Sequence, residues 1–109
     1  MERERGAYGG KTESTGNLVE VKFFATLRLA LGVASLFLPL GKPVTVKEFL
    51  LLCSQKVGVD IDKKLLSGET LLRGTMILVN GRNILHDKGL ATIITPGDVV
   101  SLFPPAGGG

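Results

Sequence analysis

Val19, Val21, Phe23 and Ala25 fall on one side of the chain and Glu20 and Lys22 on the other. That alternation has the period of two of a half-buried strand. Phe24 breaks it, an aromatic ring on the polar side. Thr26 to Gly32 reads as a connection, and Ala34 to Leu40 as a second strand closed by Gly41-Lys42-Pro43. Two strands so near in sequence predict an antiparallel pair with a long loop.

The period then changes. Val46, Phe49, Leu50, Cys53 and Val57 share one helical face. Thr45-Val46-Lys47-Glu48 is a capping box: the Thr45 hydroxyl can accept from the Glu48 amide, and the Glu48 carboxylate can accept from the Thr45 amide. Gly58 supplies a residue tolerant of positive φ at the far end. A helix over 46–57 follows, with Phe49 in the core and Leu51 off the apolar face, partly exposed. Ile61 to Ser67 reads as a second short helical turn. Asn80-Gly81, between Met76–Val79 and Arg82–Ile84, is a hairpin signal, because a type I′ turn needs positive φ at both central positions. Thr95-Pro96-Gly97-Asp98 has the residues of a type II turn, and Val99 to Phe103 is the final strand.

The resulting order is β-β-α-β-β-β. One amphipathic helix covers one face of a sheet and leaves the other open, an α+β arrangement. The expectation is a mixed sheet curled around one main helix, the β-grasp or ubiquitin-like roll.

The chain ends Leu102-Phe103-Pro104-Pro105-Ala106-Gly107-Gly108-Gly109. Neither proline can donate to a sheet ladder, so pairing stops there. Two consecutive prolines also hold an extended polyproline geometry that carries the tail outward. The four residues after Pro105 reach roughly 13 Å when extended. Three glycines then present a carboxylate with no side chain near it, a shape suited to threading a narrow channel that grips main chain only. A carboxylate is a poor acyl donor until its oxygen is turned into a leaving group, and adenylation by ATP does that. The tail would supply access and a partner enzyme the catalysis.

Composition narrows the alternatives. The 109 residues suffice for one domain, divided by expectation into a flexible extension (1–16), the β-grasp domain (17–103) and a flexible glycine tail (104–109). Residues 1–16 hold four of the 15 glycines, and Arg3, Arg5 and Lys11 cancel Glu2, Glu4 and Glu13, too little apolar surface to offset ordering entropy. A net charge of +3 is too slight to argue for nucleic acid as a partner. A single cysteine, Cys53, and a single histidine, His86, exclude a disulfide framework and leave no metal site expected. No stretch matches a membrane span or a secretory signal, so a cytoplasmic protein without membrane contact is expected. Asp60 and Asp62 beside Lys63 and Lys64 read as a solvated turn. No phosphate-binding or dinucleotide fingerprint is present; no bound cofactor is expected, and the chain has no complete active site of its own.

Phe23-Phe24-Ala25-Thr26-Leu27-Arg28, Val44-Thr45-Val46, Val79-Asn80-Gly81-Arg82, Pro96-Gly97-Asp98-Val99-Val100 and Phe103-Pro104-Pro105-Ala106-Gly107-Gly108-Gly109 together resemble the ubiquitin-like sulfur-carrier family. The tail most resembles the molybdopterin synthase small subunit and the small archaeal modifier proteins. The resemblance implies a β-grasp fold and a terminal glycine, here Gly109, adenylated by an E1-like enzyme that uses ATP and then converted to a thiocarboxylate. It implies partner contacts through Phe103, Pro104, Pro105, Gly107 and Gly108, with Phe24 predicted to mark part of the same kind of surface, as Leu51 is. The implied sulfur acceptor works with the large subunit of molybdopterin synthase, in molybdenum cofactor biosynthesis. The alternative is conjugation to lysines of target proteins, with tRNA thiolation as a further role; a plain non-covalent interaction module is the third reading. The family commonly ends in two glycines after a larger residue, so Gly107 is a departure that shifts the register of the tail.

Overall fold

A computed structural model describes residues 16–105. Strand β1 (Leu18–Phe23) buries Val19, Val21 and Phe23, as its alternation requires. It is followed by helix α1 (Ala25–Leu31) and strand β2 (Ser35–Pro39). Strand β3 (Val44–Thr45) leads into helix α2 (Val46–Val57), and helix α3 (Ile61–Leu65) follows. Strands β4 (Leu66–Ser67) and β5 (Thr70–Leu71) form a small hairpin. Then come β6 (Met76–Val79), β7 (Arg82–Asn83), two 3-10 turns (Ile84–His86 and Gly89–Ala91), β8 (Ile93–Ile94) and β9 (Val99–Phe103).

Five strands form the main sheet in the order β2-β1-β9-β6-β7. The first and last strands, β1 and β9, lie parallel at its centre; every other neighbouring pair is antiparallel. Helix α2 carries Val46, Phe49, Leu50 and Cys53 into a core shared with Val19, Val21, Phe23, Ile77, Val100 and Leu102. Short β3 and β8 pair antiparallel beside the start of that helix, where the Val46 amide donates to the Thr92 carbonyl at 2.9 Å. This is the α+β β-grasp roll.

The main helix starts and stops where its sequence dictates. The Glu48 amide donates to Thr45 Oγ1 at 3.1 Å and the Thr45 amide to Glu48 Oε1 at 2.9 Å. The Thr45 amide foremost, and then the Thr45 hydroxyl, which donates to the same Glu48 Oε1 at 3.2 Å, hold the Glu48 carboxyl below its ordinary range. Gly58 takes φ +73° and its amide donates to the Ser54 carbonyl. Asn80 and Gly81 both have positive φ, at 52° and 83°, as a type I′ hairpin turn needs. Gly97 at φ 95°, with the Asp98 amide donating to the Thr95 carbonyl, makes the second turn.

Several expectations are corrected. Thr26 to Gly32 is not a loop: residues 25–31 are helical, closed by Gly32 at φ 75° whose amide donates to the Arg28 carbonyl. Its one buried residue is Leu27, so no amphipathic period announced it. Ala25 does not extend the buried face of β1; it is exposed with φ 52°. The second strand loses a residue at each end and spans Ser35–Pro39. Ile61 to Ser67 is helical only to Leu65, and Leu66 turns into a strand. Ile84 begins a 3-10 turn rather than ending a strand. Asp62 is half-buried and tied to α2: its carboxylate accepts from Ser54 Oγ at 3.0 Å, and its amide donates to the same hydroxyl oxygen. The 1–15 part of the expected extension lies outside the described residues.

Phe49 is fully buried at the centre of this core. Phe49→Ala is expected to cost about 3–5 kcal/mol in denaturant unfolding; a change under about 1 kcal/mol would contradict its place. Glu48 is expected to give the cap an acid limit. Because folding lowers its pKa, its contribution is present above the ordinary value of 4.5 and is lost as pH falls through the folded value below that. The melting-temperature gap between wild type and Glu48→Gln should therefore be open at pH 7 and close on acidification.

Candidate functional site

β9 is held on both sides. It pairs parallel with β1, Val99 to Glu20 through Leu102 to Phe23, and antiparallel with β6, Val100 to Val79 through Phe103 to Met76. Its start is fixed by side chains. The Val99 amide donates to Asn80 Oδ1 at 2.8 Å, Asn80 Nδ2 donates to Asp98 Oδ1, and the Thr95 amide donates to Asp98 Oδ2. The two turns flanking the strand are thus joined through one amide and one carboxylate.

Its other end is where the chain leaves the fold. The Phe24 amide donates to the Leu102 carbonyl at 3.2 Å, the last main-chain tie from β1. Val100 and Leu102 face the core, so Val99, Ser101 and Phe103 face the opposite side of the sheet. There the Phe24 and Phe103 rings stack with centroids 4.2 Å apart and planes 12° off parallel. Phe24 reaches this position because the chain turns at Ala25, whose φ of 52° is a left-handed conformation that costs a non-glycine residue about 1–2 kcal/mol. The aromatic that breaks the alternation of β1 is therefore the partner of the aromatic before the prolines. Pro104 is buried and Pro105 half-buried; the strand ends at Phe103 as they demand.

Around the stacked pair the open face of the sheet is mixed. Met76 lies opposite Phe103, half-buried Leu78 opposite Ser101, and exposed Lys22 on the other side of Ser101. Met76, Leu78 and Val99 were missed from sequence; the period-2 pattern of β6 and β9 holds them on that face once the core face is known. Leu51, 46% exposed, does not join this surface. It sits on α2, beside a groove it lines with Lys47, Lys63 and Leu66 on the helix side of the molecule, so Phe24 and Leu51 do not form one partner surface.

The described residues offer a poor place for chemistry. Cys53 is buried among apolar side chains, which pushes its thiol up to about 12. Among the described residues there is no group of three metal-ligating side chains. Lys47 pairs with Glu69, and Lys63 lies 3.7 Å from Asp60; Lys56 and Lys64 are exposed. Gly107, Gly108 and Gly109 lie outside the described residues. What the structure brings together is Phe24, Phe103, Pro104 and Pro105, a fixed exit point for the C-terminal residues.

Comparison with known proteins agrees with this geometry. The family model that matches, over residues 21–109, is that of the ThiS family. Small archaeal modifier protein 3 of Haloferax volcanii is 33% identical over 96 residues, covering 84% of this chain and 98% of that protein. A putative sulfur carrier protein of Archaeoglobus fulgidus is 39% identical over 69 residues, covering 63% of this chain and 78% of that one. A chain in the crystal structure of the Amycolatopsis orientalis BexX/CysO complex superposes with a TM-score of 0.69 at 26% identity, covering 84% of this chain and 99% of that one.

Replacing Phe24 by Ala removes the stack without opening the core. A loss of about 0.5–1.5 kcal/mol is expected, the worth of an aromatic pair, together with weaker binding to a partner enzyme that docks on this face. Unchanged binding in calorimetry would show that the aromatic pair is not part of the docking surface.

Proposed function

The chain belongs to the ThiS family, and from that membership we propose that it is a ubiquitin-like sulfur carrier activated at Gly109 by an E1-like adenylating enzyme. The Gly109 carboxylate attacks the α-phosphorus of the partner's ATP, forming the acyl adenylate and releasing pyrophosphate. A sulfide-level nucleophile then attacks the acyl carbon and AMP leaves, giving the thiocarboxylate. The proposed destination of the sulfur is molybdopterin, with the large subunit of molybdopterin synthase as second partner. The observation that supports this reading is the exit of the chain from a central strand through Phe103-Pro104-Pro105, with the Phe24 ring stacked beside it. A tail begun there is aimed by the fold, and glycines beyond it can enter a channel too narrow for side chains.

A second reading shares the first step. If a lysine amine attacks the adenylate, AMP leaves and an isopeptide joins Gly109 to a target protein. The matching relative named as a small archaeal modifier protein favours keeping it. Intact mass of the protein after reaction with the activating enzyme, ATP and a sulfur donor separates the two. Replacement of one oxygen by sulfur marks the carrier; the 89–109 segment left on lysines of other proteins after trypsin, Lys88 being the last basic residue, marks the modifier.

Reach tests both readings. Deleting Gly108 and Gly109 leaves a carboxylate on Gly107 but shortens the tail by roughly 7 Å, and reacting groups tolerate errors of only about 1 Å. The truncated protein is expected to melt as wild type and to bind the activating enzyme, yet to give no ATP–pyrophosphate exchange. Deleting Gly109 alone restores a two-glycine ending and is expected to keep part of the exchange rate. Full exchange in the double deletion would overturn the threading mechanism.

A further inference from the structure

From the backbone of β2 we propose that a second copy of this chain pairs antiparallel with its free edge, forming a two-fold dimer through Ser35–Pro39. β2 is the outermost strand of the sheet. The Phe23 amide donates to the Ala34 carbonyl and the Leu40 amide to the Asn17 carbonyl. With the register Val19–Leu38 and Val21–Leu36, the even-numbered residues of β2 bond to β1, and Ser35, Phe37 and Pro39 point their main-chain groups outward. Among the described residues nothing bonds to the Ser35 or Phe37 amides. The opposite edge of the sheet, β7, is two residues long and carries Arg82, so the unprotected edge is at β2.

Edges of this kind are ordinarily blunted by charge. Here the thirteen residues from Leu29 to Gly41 contain none. In the same stretch Leu29 is 82% exposed, Phe37 56% and Val33 45%. Exposed large apolar side chains concentrated beside an open edge mark an interaction surface.

Self-pairing fits this edge better than an unrelated strand for two reasons. About a two-fold axis at Phe37, each Phe37 amide donates to the Phe37 carbonyl of the second copy, and each Ser35 amide to the Pro39 carbonyl. Both free donors are used, and proline falls where only a donor is missing. The chain carries a net charge of +3, so two copies repel; an uncharged edge is where they can meet with no like charges opposed. The two Phe37 rings then cover each other on the open face. One short strand and its flanking side chains make a small interface, below about 1,200 Å² in total, so association at high concentration is expected.

Sedimentation velocity of the full chain from about 10 μM to about 1 mM should show a monomer–dimer equilibrium. Phe37→Lys places two like charges side by side and should weaken it more than about tenfold, with the melting curve unchanged because the ring is on the surface. Leu51→Lys, on the helix side, should leave it intact. In the dimer the Ser35 and Phe37 amides, which β1 does not protect, should exchange with solvent more slowly as concentration rises. A monomer throughout the range, a dimer untouched by Phe37→Lys, or fast exchange at both amides in the dimer would each overturn the proposal. So would dimerisation seen only after deletion of residues 1–16, which would assign the edge to the chain's own head. A monomer whose Phe37→Lys variant loses the activating enzyme would assign it to that enzyme.

Discussion

The parallel contact between β1 and β9 is the constraint from which the rest follows. Parallel neighbours cannot be joined by a tight turn, and the 75 residues between Phe23 and Val99 hold β2 on one side of the pair and β6 and β7 on the other. Between β2 and β6 the chain crosses the sheet as α2 over one face, and that face becomes the core. β9 is thereby trapped between β1 and β6, with Pro104 and Pro105 immediately beyond it. A tail attached to a frayed edge strand would sample many directions. One attached to a doubly paired central strand starts from a fixed point, and the prolines and the Phe24–Phe103 stack extend that fixity to the edge of the fold.

The positioning has a local cost. Ala25 is held at φ 52°, where its Cβ crowds the following carbonyl. That turn ends β1 while leaving the Phe24 amide on the Leu102 carbonyl and its ring over Phe103. The strain thus sits at the one place where the first strand touches the exit of the last, consistent with the tendency of strained backbone to gather at functional positions.

Where sequence and structure agree, a local rule and the tertiary environment ask for the same residue. The capping box at Thr45 and Glu48, the positive φ of Asn80, Gly81 and Gly97, and the alternation of Val19, Val21 and Phe23 are each fixed by neighbours within a few positions. The failures have a different origin. Helix α1 buries only Leu27, so its pattern is silent even though Ala, Leu and Arg favour helix. The hairpin of β4 and β5 has two-residue strands, too short for a period. The partnership of Phe24 with Phe103 joins residues 79 apart in sequence, and Leu51 and Phe24 read alike as apolar residues on polar faces although the fold sends them to opposite sides. The end of the last strand at Phe103 was legible because proline acts through its own backbone limits, with no need of a partner.

The same burial that makes Cys53 a core residue bears on the chemistry proposed for the tail. An activated Gly109 acyl group would be open to attack by a nearby thiolate, which would divert it into a thioester. Burial pushes the thiol up to about 12, which disfavours the thiolate at neutral pH, and its place on the buried face of α2 denies it access in either form. A carrier that keeps its one strong nucleophile closed in the core leaves the acyl group to whatever the partner enzyme presents. In this chain the apolar face of α2 supplies that closure, so the element that completes the core also shields its one thiol.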